Sequence, residues 1–98
     1  MNLNKRDIYN LWTKGEGEVD TIIHTMEEMG ELTQALSKML RDSVPFNEGL
    51  LLNIIGEMAD VYICLDMLQS IFSISETKMQ AVCDAKMIEN LDRIGIHK

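Results

Sequence analysis

The sequence predicts an all-α fold whose core is completed by further copies of the same chain. Only one of the 98 residues is Pro and six are Gly, whereas eight are Met, a composition that favours helices. Leu and Ile also recur at the spacings of helices that pack in a bundle. The length allows one domain with a single core, which in such small helical proteins often needs a partner chain. We therefore expect one four-helix bundle-like domain over residues 1–98, in a homo-oligomer that is a dimer or a tetramer.

The first two helices are predicted from the spacing of their apolar residues. A short helix over residues 4–13 places Ile8, Leu11 and Trp12 on one side, and residues 14–18, with two glycines, end it. A longer helix follows over residues 19–41. Its apolar stripe advances by alternating steps of four and three, which predicts the seam of a helix bundle. The stripe consists of Ile22, Met26, Met29, Thr33, Leu36 and Leu40.

The third and fourth helices are predicted from an apolar run and a capping pattern. The single proline ends the second helix, and Asn47 is a candidate cap for a third helix over residues 47–72. That helix is apolar nearly all round, so it needs cover on more than one side, in part from another subunit. Ser73 and Glu76 fit the capping-box pattern and predict a fourth helix that Gly95 ends.

Charge and cysteine content indicate which binding partners and which cellular compartment to expect. The net charge of -7, without a compensating basic stripe, disfavours binding to a nucleic-acid polymer. Cys64 and Cys83 are isolated, which favours a reducing, cytoplasmic setting over a disulfide scaffold. The first residues lack an apolar signal, and polar residues interrupt the apolar run over residues 50–72. We therefore expect neither a targeting segment nor a membrane partner.

Two pairs of acidic residues predict a metal site. Glu28 and Glu31 are three residues apart on the second helix, and Glu57 and Asp60 share this spacing on the third. Each pair therefore shares one helix edge. The second pair lies among apolar residues, where an ionised carboxylate costs several kcal/mol unless it is paired or bound to a metal. Two such helices side by side offer four carboxylates to one cation, a set that suits Mg²⁺ or Mn²⁺.

Three other interpretations compete with a magnesium site. A single pair of this spacing is usually a solvated helix face. A di-iron carboxylate bundle needs Glu-x-x-His motifs, which the sequence lacks. The third alternative is a non-enzymatic helical dimer, an interaction or regulatory module in which the acids form salt bridges. No Lys or Arg lies between Arg41 and Lys78, so those bridges need the last helix or another subunit.

The chain resembles the MazG-like, all-alpha nucleoside triphosphate pyrophosphohydrolases. That family carries an ExxE motif on one helix and an ExxD motif on the next, and these read EMGE at residues 28–31 and EMAD at residues 57–60. The resemblance covers roughly residues 19–93. It implies that the four acids hold Mg²⁺ and that a nucleoside or deoxynucleoside triphosphate is hydrolysed to the monophosphate and pyrophosphate.

The resemblance also implies roles for single residues. Glu28 or Glu31 takes the proton of a water whose pKa the metal lowers and which attacks phosphorus. Lys86, Asn90 and Arg93 follow at steps of four and three on the last helix and resemble a Lys, Asn, Arg pattern of the family. Their common face implies contacts with the triphosphate. An ordinary polar face near a helix C-terminus explains the same pattern equally well.

Four further side chains have two interpretations each. Trp12, the only tryptophan, is a candidate for stacking on the nucleobase, although a core anchor is the commoner role. His24 lies four residues before Glu28, yet a lone helix histidine is more often structural or exposed. Lys38 and Arg41 form a basic pair beyond the first acidic pair, where we expect a solvated helix end rather than a substrate contact.

Overall fold

The computed structural model describes residues 4–41 and 48–96, and these residues form four helices and no strand. The helices are α1 (Lys5–Glu16), α2 (Glu18–Arg41), α3 (Glu48–Ile71) and α4 (Glu76–Arg93). The prediction of an all-α chain with four helices is therefore confirmed. The candidate cap Asn47 lies outside the described residues.

A single residue separates α1 from α2. The Asn4 side chain caps α1 by accepting a hydrogen bond from the Asp7 amide at 2.8 Å. The predicted break over residues 14–18 was too wide, because α1 continues to Glu16 and only Gly17 is non-helical. Gly17 has a φ of 96°, which residues with a Cβ rarely adopt, and its amide donates to the Thr13 carbonyl at 2.7 Å. The chain thus changes direction between the two helices at this glycine.

Helices α2 and α3 form an antiparallel hairpin that contains the core. Thr25 lies against Cys64, whereas Glu31, further along α2, lies against Glu57, earlier on α3. The Thr25 hydroxyl donates to the Thr21 carbonyl at 2.9 Å, so this polar group is satisfied inside the core. The buried side chains of the two helices are mostly small, which allows a close approach: Thr21, Thr25, Ala35, Ile54, Cys64 and Met67.

The predicted apolar seam of α2 does not face α3. Met26 is 66% exposed and Leu40 is 74% exposed, whereas the side of α2 that carries Thr21 and Thr25 is buried. Because α3 is apolar nearly all round, it can pack against the side of α2 that permits the closest approach. The expectation that this stripe forms the core is therefore wrong within one chain, because all of its residues except the half-buried Ile22 are exposed.

Polar contacts hold α1 against α3. The Lys5 ammonium lies 2.8 Å from the Asp66 carboxylate, and the Tyr9 hydroxyl donates to the same carboxylate at 3.3 Å. One turn further along, the Ser70 hydroxyl donates to the Asn10 side chain at 3.2 Å. These contacts fix the position of α1 relative to the hairpin and place its last turn beside α2.

Helix α4 is joined to α3 at its first residue, where Nε2 of Gln69 donates to Oε1 of Glu76 at 2.7 Å, and its remaining length extends away from the packed helices. Its cap is Ser75, which accepts a hydrogen bond from the Lys78 amide at 3.1 Å, so the prediction of Ser73 as the cap was wrong. No residue of α4 is buried, and among the described residues α4 does not pack against α1, α2 or α3. Three helices therefore form the packed unit of one chain. None of the described helices combines the length and apolar character that crossing a bilayer requires.

Candidate metal centre and adjoining groove

Three carboxylates from α2 and α3 meet at one point of the hairpin. Each of Glu28, Glu31 and Glu57 offers an oxygen that lies within 4.8 Å of the oxygens of the other two. The spacing of three residues puts Glu28 and Glu31 on one edge of α2, and the antiparallel packing brings Glu57 opposite them. The structure thus brings together three of the four acids that the sequence singles out.

The fourth acid, Asp60, lies beside this group and not within it. Asp60 is exposed, although its position in an apolar run predicts burial. The burial prediction was wrong for Asp60, because no element of a single chain covers this side chain. Asp60 still acts on the group through its charge, which raises the pKa of Glu57.

The group carries negative charge that no described Lys or Arg neutralises, and two of its buried oxygens have no hydrogen-bond partner. The Oε2 atoms of Glu28 and Glu57 are buried, and neither has a hydrogen-bond partner among the described residues. Burial raises the pKa of the Glu57 carboxyl, and the negative charges of Glu31, Asp60 and Glu28 raise it further. No Lys or Arg within residues 4–41 and 48–96 forms an ion pair with these four acids.

These features fit a divalent cation with a preference for oxygen ligands. Buried polar atoms in proteins almost always have partners, so two orphaned carboxylate oxygens on one site point to a ligand between them. Mg²⁺ takes oxygen ligands, is held by a few carboxylates, and keeps positions for water or phosphate. Mn²⁺ accepts the same donors. The residues present therefore fit the predicted metal.

His24 contacts the group from the side of α1. Its Nε2 atom lies 3.1 Å from Oε1 of Glu28, and its Nδ1 atom lies 3.4 Å from Oε2 of Glu16. The ring is half-buried, so His24 is neither an exposed residue nor one remote from the site. The four-residue spacing of His24 and Glu28 was the signal that pointed to this contact. A histidine in this position restricts the orientation of the carboxylate that it bonds.

Trp12 lies beyond His24 on the same side. The two ring centroids are 6.0 Å apart with an angle of 34° between the planes, and the indole Nε1 donates to Oε2 of Glu16 at 3.4 Å. Trp12 is 40% exposed, so the role of core anchor is wrong within one chain. Part of the indole surface therefore remains open next to the acidic group.

A groove extends from the acidic group in the opposite direction. Its volume is about 620 Å³, and it is lined by Glu31 and Glu57 at one end and by Lys38 and Arg41 at the other. Asn53 of α3 lines it between these ends. The sequence did not predict this arrangement, since it depends on the register of α2 against α3. Lys38 and Arg41 are exposed, as expected for a helix end, but they share a groove with two of the acids.

The predicted phosphate contacts on α4 lie elsewhere in the chain. Lys86, Asn90 and Arg93 are exposed on a helix that does not pack against α2 or α3. The Lys86 ammonium lies 3.7 Å from the Glu89 carboxylate, an exposed pair on the same helix. Within one chain these residues do not adjoin the acids, and contact with the acids requires α4 of another copy.

Comparison with known proteins identifies no relative of this chain. No protein-family model, no curated protein and no solved structure matches the chain. The resemblance to the MazG-like enzymes thus depends on the two acidic motifs. The geometry itself defines an all-α chain in which both helices of an antiparallel hairpin contribute carboxylates to one cluster.

Proposed function

We propose that this protein hydrolyses a nucleoside or deoxynucleoside triphosphate to the monophosphate and pyrophosphate in a magnesium-dependent reaction. The observation that carries the proposal is the convergence of Glu28, Glu31 and Glu57, with two buried oxygens that lack a partner. The two motifs shared with the MazG-like pyrophosphohydrolases supply the reaction class. The absence of a described Lys or Arg on these acids favours a metal over salt bridges.

The acidic residues have different roles in this reaction. Glu28, Glu31, Glu57 and Asp60 hold the metal, which supplies neutralisation of phosphate charge and activation of water. Glu28 is bonded to His24 and so has a restricted orientation. Glu31 is the exposed member of the cluster and faces the groove, so it is better placed than Glu28 to accept the proton of the attacking water. Asp60 completes the set from the exposed rim of α3.

The substrate binds between Trp12 and the groove. Trp12 stacks on the nucleobase with its open surface, next to His24 and the acids. Lys86, Asn90 and Arg93 contact the phosphates from α4 of another copy of the chain. In this arrangement one site contains residues of two subunits, and the active form is a homo-oligomer.

The exposed apolar surface supports a homo-oligomer. The surface side of α4 includes Met87, which is 55% exposed, and Ile88, which is 59% exposed, and the apolar stripe of α2 is also open. Helices in proteins gain most of their stability from packing, and no residue of α4 is buried within one chain. A second copy that covers α4 removes this apolar surface from water. Both cysteines are free thiols, which agrees with a cytoplasmic location.

The experiment that tests the proposal measures pyrophosphate release from a panel of NTPs and dNTPs, with Mg²⁺ and with EDTA. We expect release from at least one member that requires Mg²⁺, with the monophosphate as the other product. Glu57→Gln should abolish it, whereas Glu27→Gln, a matched change at an exposed residue of α2, should not.

The alternative function is a non-enzymatic helical dimer that acts as an interaction or regulatory module. The extent of exposed apolar surface favours it. A folded, oligomeric protein that releases no pyrophosphate and gains no thermal stability from Mg²⁺ would favour this alternative, because only a ligand of the native state raises the melting temperature.

A further inference from the structure

The cationic end of the groove lies on the same face of α2 as the acidic group. Lys38 follows Glu31 by seven residues, which is two helical turns and about 10 Å along the axis. Arg41 lies one turn further. Side chains on a helix lean towards its N-terminus, so both cationic groups extend back along the groove towards Glu31. The groove therefore changes from negative to positive charge over a short distance.

Neither cation is neutralised by a neighbour in the part of the chain that the structure describes. No ion pair involves Lys38 or Arg41, although the chain contains 16 acidic residues and only 9 basic ones. Asn53 lines the opposite wall of the groove and adds an amide that can donate a hydrogen bond. Two free cations and an amide in one groove are the donors that a phosphate anion requires.

The groove also has a suitable size and position. Its volume of about 620 Å³ lies within the usual range for sites that hold small molecules. It starts at Glu31 and Glu57, whereas Trp12 lies on the opposite side of the acidic group, beyond His24. The two ends of the site thus offer different chemistry, an aromatic surface at one end and cationic donors at the other.

We infer that Lys38 and Arg41 bind the two terminal phosphates of the substrate and the pyrophosphate that leaves. This inference rests on the proposed function, since it orients the triphosphate relative to the acids. The base lies at Trp12, the phosphate that is attacked lies at the acidic group, and the leaving pyrophosphate lies in the groove. Arg41 can bind two phosphate oxygens with its planar guanidinium, whereas Lys38 acts as a point charge.

The test measures the binding of inorganic pyrophosphate, in the presence of Mg²⁺, by isothermal titration calorimetry. The variants are Lys38→Gln and Arg41→Gln, with Lys78→Gln as a control of equal charge change outside the groove. We expect each groove variant to bind pyrophosphate about tenfold more weakly or worse, as expected for the loss of a charged hydrogen bond. The control should retain the affinity of the unmodified chain. Gln is also a good helix former, so all three variants should keep the melting temperature.

The outcomes separate this inference from the proposed function. Unchanged affinity in both groove variants, or no pyrophosphate binding by the unmodified chain, would overturn the inference and leave triphosphate hydrolysis to its own assay. Binding that depends on Lys38 and Arg41, in a chain that hydrolyses no triphosphate, would support the anion site and contradict the proposed hydrolase function. A loss in Lys78→Gln equal to that in the groove variants would also overturn the inference, because it would show only an effect of net charge.

Discussion

The Nε2 atom of His24 lies 3.1 Å from Oε1 of Glu28, one turn further along α2. The other ring nitrogen faces Glu16, the last residue of α1. The imidazole therefore lies between the end of α1 and a candidate metal ligand, and only its Nε2 atom is hydrogen-bonded. Partners of this kind typically account for a tenfold to hundredfold change in metal affinity. We predict that His24→Ala weakens Mg²⁺ binding by about this factor without loss of the fold.

The fluorescence of Trp12 can be measured to test this prediction. Trp12 is the only tryptophan, and its ring centroid lies 6.0 Å from that of His24, so its fluorescence reports on this end of the site. A Mg²⁺ titration followed by Trp12 fluorescence gives the affinity of the unmodified chain, and calorimetry gives that of His24→Ala. Glu27→Gln is the control, since Glu27 is exposed on the same helix. Equal affinities in all three proteins would show that His24 does not support the metal site.

Glu57→Gln should have opposite effects with and without metal. Burial and three neighbouring acids raise the pKa of Glu57 in the folded state above its ordinary value of 4.5. Between these two values the folded chain holds more protons than the unfolded chain, so stability falls as the pH rises through this range. Without metal, Glu57→Gln should therefore be more stable than the unmodified chain at about pH 7, and the difference should vanish at about pH 4.

Mg²⁺ should reverse the order of the two proteins at about pH 7, because only the chain with Glu57 gains stability from the ion. Urea unfolding of both proteins in EDTA and in Mg²⁺, at both pH values, measures their difference in stability under each of these four conditions. If the unmodified chain proves more stable than Glu57→Gln in EDTA at about pH 7, then Glu57 has a stabilising partner in the fold.

The sequence predicted those features of the site that depend only on the geometry of a single helix. Glu28 and Glu31 share an edge because three residues make almost one turn, and no tertiary contact alters that. The existence of the four helices also follows from the spacing of apolar residues and from capping patterns along the sequence. The four-residue spacing of His24 and Glu28 likewise lies within one helix and indicates the contact that the structure describes.

The features that escaped prediction depend on how helices pack. The apolar stripe of α2 predicted one packed side, but Thr21 and Thr25 occupy the packed side, since their hydroxyls bond to carbonyls one turn back. The exposure of Asp60 and the groove between Glu31 and Lys38 follow from the register of α3. Neither can be obtained from periodicity, because α3 is apolar on almost every side and fits several registers.

Two glycines near the start of α2 should respond in opposite ways to the same substitution. Gly17 has a φ of 96° and a ψ of 151°, a region essentially confined to glycine, so Gly17→Ala places a Cβ in a strained conformation at a cost of about 1–3 kcal/mol. Gly15 lies inside α1 with open space around its Cβ position, so Gly15→Ala should add up to about 1 kcal/mol of stability. Urea unfolding of both variants checks the difference. A loss of stability in Gly15→Ala would mean that α1 does not extend past Thr13.

The separation of α4 from the acidic group leads to a prediction about mixed oligomers. If Lys86 and Arg93 contact the phosphates, they do so from another copy, because α4 does not pack against α2 or α3 of its own chain. We predict that Glu57→Gln and the double variant Lys86→Gln, Arg93→Gln are each inactive alone. In a mixed dimer, one of the two sites combines the intact acids of the double variant with the intact α4 of the Glu57→Gln chain. Random pairing should therefore restore about a quarter of the activity.

The measurement is pyrophosphate release after the two variants are unfolded together and refolded, with native mass spectrometry to verify that mixed oligomers form. Recovery of activity would place residues of two subunits in one site, which neither chain can supply alone. Mixed oligomers without activity would mean that α4 does not serve the site of a second subunit. Full activity of the double variant by itself would remove Lys86 and Arg93 from the site. The phosphates would then depend on the groove cations Lys38 and Arg41 of the chain that supplies the acids.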